Sequence, residues 1–328
     1  MPVPGSIKIK QLDLELNGGC NFKCQMCPQA DGRERGFLKK MPAETLEKIL
    51  DDAMQYGVES VSLHGSGEPT MNSDMPDAVA AIKARGLICI SFSNGYRLDE
   101  AMAGRLIDAG IDILRVSAIG ADAQSYHRWM SMDVFESVRA NVTRFAQMAQ
   151  GTGTEIHLYH LLTDAARRDE EIAAYRKNWV EATGAFAEIW MMHNWSGGYA
   201  SPYDRAALTD APVKRSCGRP FSELLQVRAG GLDGHHGAVV ACCMVLGKDG
   251  EATLGHLDDQ SIAEVVGGAP YEELRAAHRE GRFDDISYCA DCDQLYDFPD
   301  ALVWSNIPGR SYGQSKIVGG LDHRAYTS

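Results

Sequence analysis

The sequence predicts an α/β protein, a partial (β/α)6 TIM-like barrel followed by a small C-terminal domain. Three observations predict it. Between residue 11 and about residue 193, short apolar runs alternate with longer amphipathic ones, as in a parallel sheet wrapped by helices. After Trp195 that periodicity fails, and residues 196–212 have the Gly, Ser, Pro, Ala and Asp content of a linker. From Cys217 the texture changes to short strands, an Asp233-Gly234 turn and more cysteines. The barrel is therefore placed at 1–200, the small domain at 201–293, and a tail or cap at 294–328.

Within the barrel the apolar runs read as strands at 11–16, 60–64, 87–93, 111–117, 155–161 and 187–192. Helices fall near 43–56, 75–85, 99–109, 134–149 and 168–183, each with apolar residues at three-and-four spacing. Six units fall short of the eight that close a barrel. The small domain reads as strands at 224–227 and 238–243, then helices near 262–266 and 271–280.

Composition excludes several classes. With 328 residues, 45% hydrophobic and 23% charged, the chain buries a sizeable core without covalent staples. A net charge of −13, with no basic run longer than a pair, leaves no stripe for a phosphate backbone, so nucleic acid is not an expected partner. Residues 1–10 lack the apolar stretch of a signal peptide, and no segment approaches the roughly 20 apolar residues of a spanning helix. A cytoplasmic protein with no membrane partner is expected. Nine cysteines in a reducing compartment read as metal ligands or catalytic groups before disulfides.

Cys20, Cys24 and Cys27 follow the first strand directly, which puts them on a loop at the carboxyl end of the barrel, where such folds carry their chemistry. Three thiolates hold three irons of a four-iron cluster and leave the fourth open. The alternative is a structural zinc site, which normally takes four ligands, and no fourth Cys or His lies nearby in sequence.

This three-then-two spacing resembles the signature of the radical S-adenosylmethionine (SAM) superfamily, and further segments match in the expected order. Gly65-Ser66-Gly67-Glu68-Pro69 looks like the element whose backbone binds the SAM amino group. Ser91-Phe92-Ser93-Asn94-Gly95 is similar to the ribose-binding segment, with Ser93 and Asn94 as its polar members. Arg115 and Ser117 on the fourth strand would reach the SAM carboxylate. Met26 stands where the family usually has an aromatic residue against adenine, and its thioether can still lie against a ring. The resemblance implies one-electron cleavage of SAM to a 5′-deoxyadenosyl radical, with the target hydrogen held about 3–3.5 Å from the radical carbon. It also implies an electron donor such as flavodoxin or ferredoxin.

Cys217, Cys242, Cys289 and Cys292 resemble the ligands of a SPASM/Twitch auxiliary domain, in the shorter Twitch form with one fully ligated 4Fe-4S cluster. Four thiolates suit zinc equally well. Adjacent residues on a strand face opposite ways, so one of Cys242 and Cys243 is spare; by the family pattern Cys242 ligates. Cys243 then either packs or donates a hydrogen atom to substrate. His157, Tyr159 and His160, with His193, Asn194 and Trp195, are expected at the barrel mouth, His157 and His193 as candidates for proton transfer. His235 and His236 read as solvated.

Twitch enzymes that resemble this chain oxidise or epimerise aminocyclitols and sugars at a carbinol carbon, which makes an oxidoreductase or epimerase acting on a small polar molecule the expected function. Related SPASM enzymes modify ribosomally made peptides, often with an N-terminal leader-binding domain, and here ten residues precede the first strand. A non-catalytic metal-binding protein is the alternative from another class.

Overall fold

The computed structural model describes residues 8–30, 32–203, 213–296 and 301–308. Its ten described strands form one sheet. Six lie parallel in chain order: β1 (Gln11–Leu14), β2 (Ser60–Leu63), β3 (Ile88–Ser93), β4 (Ile113–Ser117), β5 (Glu155–Leu162) and β6 (Phe186–Met191). Beyond β1, β7 (Leu224–Val227) adds in parallel, and β8 (Ala238–Val240) and β9 (Thr253–His256) follow antiparallel. At the other edge β10 (Leu302–Ser305) runs antiparallel to β6. The helices are α1 (Ala43–Ala53), α2 (Met75–Ala84), α3 (Glu100–Asp108), α4 (Ala123–Met130), α5 (Phe135–Met148), α6 (Arg168–Tyr175), α7 (Ile262–Val266) and α8 (Ala269–Glu280).

The period-two pattern of the strands separates two faces. Leu12, Leu14, Val61, Leu63, Leu114, Val116, Leu158, Ala187 and Ile189 occupy one face and are fully buried in the main apolar core. Their neighbours Asp13, Ser62, Phe92, Arg115, His157, Tyr159, Glu188 and Gln226 occupy the other, which becomes a polar lumen. Among the described residues no helix is long and apolar enough to cross a membrane.

Each expected barrel strand is present, with ends shifted by two residues or fewer. Four details differ. The strand expected at 238–243 stops at Val240, so Cys242 and Cys243 lie in a following turn and strand alternation does not separate them. The run 224–227, expected in a separate small domain, extends the barrel sheet. The helix expected over 168–183 ends at Tyr175 and continues as a wider π-helical stretch over 176–181. Elements α4, β9 and β10 were not anticipated; β10 falls in the expected tail, whose residues 309–328 lie outside the described residues, as do 204–212 of the expected linker.

His160 is a structural residue rather than a mouth residue. The Gly120 N–H points at its Nδ1 at 3.3 Å, its Nε2 lies 2.9 Å from Glu171, and its ring stacks on Tyr175 at 4.3 Å. Glu171 also accepts from Thr163 Oγ1 at 2.7 Å, Thr163 N at 2.9 Å and Asp164 N at 3.0 Å, pinning the start of α6 to the end of β5. Burial works against its charge, but the hydrogen bonds from His160 and Thr163 outweigh it and hold the carboxyl below its ordinary range. Glu171→Ala strips these donors of their acceptor at once and is expected to cost about 3 kcal/mol or more of stability in chemical denaturation. A loss below about 0.5 kcal/mol, the level of an ordinary surface change, contradicts this role.

Candidate active site

The loop after β1 carries Cys20, Cys24 and Cys27 to the carboxyl end of the sheet, where turn bonds from Cys27 N to Cys24 O and from Ala30 N to Cys27 O, both 3.0 Å, wind it tightly. The Phe22 N–H lies 3.4 Å from the Cys20 sulfur. Desolvation pushes the Cys20 thiol up to about 11 and raises Cys27 and, further, Cys24. Such thiols stay protonated in neutral water and lose their protons to a bound metal.

Gly65–Pro69 buttresses this loop. A Cβ on Gly67 would fall 2.0 Å from Asn17 O and 2.6 Å from Gly19 O, so only glycine allows the two backbones to meet. The Glu68 N–H donates to Gly19 O at 2.8 Å, and Asn17 Nδ2 donates to Glu68 O at 3.1 Å. The Glu68 carboxyl faces inward, accepting from Thr70 Oγ1 at 2.6 Å, Ser93 Oγ at 2.8 Å and Asn94 N at 2.7 Å. Asn94 Nδ2 in turn reaches Asn21 Oδ1 at 2.9 Å. Glu68, Ser93 and Asn94 thus set the shape of the cradle through one another. Met26 is buried in the core, and Ser117 is half-buried. Ser66 Oγ, and Nε and Nη2 of Arg115, are buried polar atoms without a hydrogen-bond partner, open to a polar ligand.

A buried quartet fixes the cluster loop to the C-terminal part of the chain. Arg33 Nη2 lies 3.2 Å from Glu15 on the strand side, and Arg33 Nε lies 3.3 Å from Asp249. Arg228 Nε lies 2.7 Å from the other Asp249 oxygen, and all four side chains are 2% exposed or less. Glu15 further accepts from Ser66 N at 2.5 Å and Ala229 N at 3.2 Å, and Arg33 donates to Gly18 O at 2.8 Å. Two positive and two negative groups cancel, which makes their burial tolerable.

The second cysteine group gathers next to this quartet. Cys217 and Cys289 pack with Cys292 against Phe283 and Leu295. Cys242 is raised well above the ordinary thiol range, first by burial and then by Cys243. Arg219 is held strongly charged by Cys243, Cys242 and Cys217, and Cys243 also acts on the guanidinium of Arg228. Five thiols therefore share one neighbourhood that includes two cations. Between the two cysteine loops runs the segment after β6, where Trp195 and Ser196 take left-handed φ of 44° and 56°. Asn194 donates to Asp291 O at 2.7 Å and to Asp293 from its backbone at 2.9 Å, while Gly198 leaves room for Pro28. Such strain persists where surrounding contacts impose it.

Among the described residues, the trio of His, Cys, Asp or Glu ligand atoms within 4.8 Å of one another is His235, Asp258 and Asp259. The all-thiol donor set of the second group is one that iron-sulfur clusters take.

In the lumen, Asp13 accepts from Gln11 at 2.7 Å and from Gln226, and lies 3.6 Å from His64. Arg115 lies 3.7 Å from Glu188 and 5.3 Å from the Phe92 ring, and burial pushes it down to about 10. His157 is the third residue of β5, with Nε2 2.7 Å from Glu155 and its ring on Phe186, so it sits deep in the barrel and not at its mouth. His193 is at the mouth, edge-on to Trp195 at 3.9 Å. His235 is engaged rather than solvated, 3.1 Å from Asp258 and stacked on His256, and His236 lies 2.9 Å from Ala229 O.

Fold and site together define an iron-sulfur enzyme: an incomplete parallel barrel with a three-cysteine loop at its mouth and a second cysteine group beside it. Residues 14–170 match the model of the radical SAM superfamily, and residues 234–293 match that of the iron-sulfur cluster-binding domain called SPASM. The chain belongs to the radical SAM superfamily and carries a SPASM/Twitch-type domain. Its cofactors are 4Fe-4S clusters and SAM. A probable GTP 3',8-cyclase of Methanococcus maripaludis is 30% identical over 137 residues, 42% of this chain and 46% of that protein, so the match spans less than half of the relative. The fold is similar to BtrN in complex with AdoMet and 2-DOIA (TM-score 0.57, 17% identity, 88% of this chain and 98% of that one). It is also similar to Streptococcus suis SuiB bound to precursor peptide SuiA (TM-score 0.63, 16% identity, 88% and 70%).

The reconstituted protein is expected to hold about eight irons, four per cluster. Gly67→Ala drives a methyl group into the cluster loop and is expected to bring that number near four. Full iron in Gly67→Ala, measured by colorimetric iron assay, contradicts the buttress.

Proposed function

We propose that this enzyme takes a hydrogen atom from a carbinol C–H of a small polar substrate, of sugar or aminocyclitol type, giving a ketone or an inverted centre. The polar lumen carries this reading: Asp13, His64, Arg115, Tyr159 and Glu188 offer buried charged and hydrogen-bonding groups matched to hydroxyl and amino substituents. The fold-level likeness to BtrN, whose structure holds 2-DOIA, supports it. When bound, SAM on the three-cysteine cluster supplies hydrogen-atom abstraction, and the auxiliary cluster offers a one-electron acceptor.

The chain's residues have distinct parts. Cys20, Cys24 and Cys27 hold the first cluster. Gly65, Ser66 and Gly67 present backbone to SAM, with Ser117 and Arg115 toward its carboxylate. Cys217, Cys242, Cys289 and Cys292 hold the second cluster: the first, third and fourth pack together, and Cys242 feels both Cys292 and Cys217. Cys243, in the same neighbourhood as Arg219 and Arg228, would return a hydrogen atom to the substrate carbon in an inversion, its S–H bond breaking and the thiyl left behind being reduced by the external electron donor. In oxidation, His193 at the mouth takes the hydroxyl proton, a part for which His157, at the far end of β5, is too deep. A small electron-transfer protein such as flavodoxin or ferredoxin reduces the first cluster.

A second reading, modification of a ribosomally made peptide, is favoured by the likeness to SuiB in complex with its precursor peptide. Product mass separates the outcomes on a small substrate: two hydrogens fewer marks oxidation, and unchanged mass with altered stereochemistry marks inversion. Failure of every polyhydroxylated substrate, with turnover on a peptide, overturns the first reading.

Cys24→Ala is expected to abolish 5′-deoxyadenosine formation, and retained formation would refute the cluster assignment. Cys242→Ala is expected to lose about four irons and Cys243→Ala to keep all of them while still cleaving SAM. Iron loss on Cys243→Ala instead would exchange the roles of the two cysteines.

A further inference from the structure

His278 belongs to none of the motifs above. It lies near the end of α8, on the helix face that also buries Tyr271, Leu274 and Ala277, and is itself 4% exposed. Its ring packs edge-on against Phe283 with centroids 5.3 Å apart. Nδ1 is 3.1 Å from Ser216 Oγ, and Nε2 is 3.7 Å from the sulfur of Cys289. Ser216 immediately precedes Cys217, so this one ring touches a cysteine of the second group and the neighbour of another.

Ser216 Oγ accepts the Gly218 N–H at 3.2 Å and keeps one proton to donate and one lone pair to accept with. The pairing of interest is the one in which that proton goes to His278 Nδ1, 3.1 Å away. A neutral imidazole whose Nδ1 accepts carries its proton on Nε2. That proton faces the Cys289 sulfur.

We propose that His278 is a positioning residue for the auxiliary cluster, donating its Nε2–H to the Cys289 thiolate and raising the cluster's reduction potential, with Ser216 fixing the tautomer. The inference rests on the reading of Cys289 as a cluster ligand. A hydrogen bond to a ligand sulfur draws off negative charge and favours the more negative, reduced cluster, and such bonds are among the recognised determinants of cluster potential. Cys289 is half-buried beside Phe283 and Leu295, where Lys248 also acts on its sulfur. The consequence is functional: a cluster with a higher potential is a better acceptor of an electron from a substrate radical.

The test is a potentiometric titration of the reconstituted holoenzyme, followed by electron paramagnetic resonance, on wild type, His278→Phe, His278→Gln and Ser216→Ala. His278→Phe keeps a planar ring without the donor and is expected to retain about eight irons while the auxiliary reduction equilibrium falls about tenfold, 59 mV for one electron. His278→Gln, which restores an N–H, is expected to recover most of that shift. Ser216→Ala, which frees the tautomer without touching the ring, is expected to show part of it and covers the case in which His278→Phe does not fold. The potential of the SAM-binding cluster stays fixed throughout. Full iron with an unmoved auxiliary potential in both His278→Phe and Ser216→Ala overturns the proposal and leaves His278 as packing. Loss of four irons in both His278→Phe and His278→Gln overturns it by making His278 a ligand. Wild type saturating at four irons would instead sink the underlying two-cluster reading.

Discussion

The arrangement of this molecule depends on one buried electrostatic contact, the neutral quartet of Glu15, Arg33, Asp249 and Arg228. Glu15 lies just past β1, Arg33 at the end of the cluster loop, Arg228 just past β7, and Asp249 in the turn before β9. Each side chain alone would be costly to bury, and removing one partner from such a group typically costs about 3–5 kcal/mol. Because Glu15 also holds the backbone of Ser66 and Ala229, the same carboxylate ties the cradle, the barrel and the C-terminal region together. The two cysteine groups therefore keep a fixed relation that neither loop enforces by itself.

That fixed relation gives the chemistry its setting. The first group opens at the mouth of the barrel above a lumen of buried charges, and the second stands beside it in a neighbourhood that includes Arg219 and Arg228. The strained pair Trp195 and Ser196 fills the seam between them, held by Asn194 and by Lys248, which donates to Ser196 O at 2.8 Å. A rigid seam suits radical chemistry, because positioning a target hydrogen is a matter of tenths of an ångström.

Much of this was legible in the sequence because it is written in local periodicities. The two-residue alternation of β1–β6 and the three-and-four spacing of the helices located the barrel, and the cysteine spacing pointed to the two places where cysteines gather. What escaped was written elsewhere. Helix α4 has a capping box at Asp122 and Ser125 and buries Tyr126, Trp129 and Met130, a signal short enough to pass for a loop. Alternation predicted opposite faces for Cys242 and Cys243, but the strand ends at Val240 and the turn removes the premise. The pairing of β7 with β1 is not encoded in the pattern of either strand, since apolar alternation names no partner. The quartet joins residues up to 234 positions apart (249 − 15), and each charge taken singly reads as an ordinary surface group.

The central claim, two iron-sulfur clusters of which one alone binds SAM, is tested most directly by paramagnetic resonance of the anaerobically reduced wild-type protein with and without SAM. Two overlapping reduced-cluster signals are predicted, one shifted by SAM and the other unchanged, with 5′-deoxyadenosine accumulating under reductant. A single signal indifferent to SAM, with zinc bound in place of the second cluster, would contradict the account.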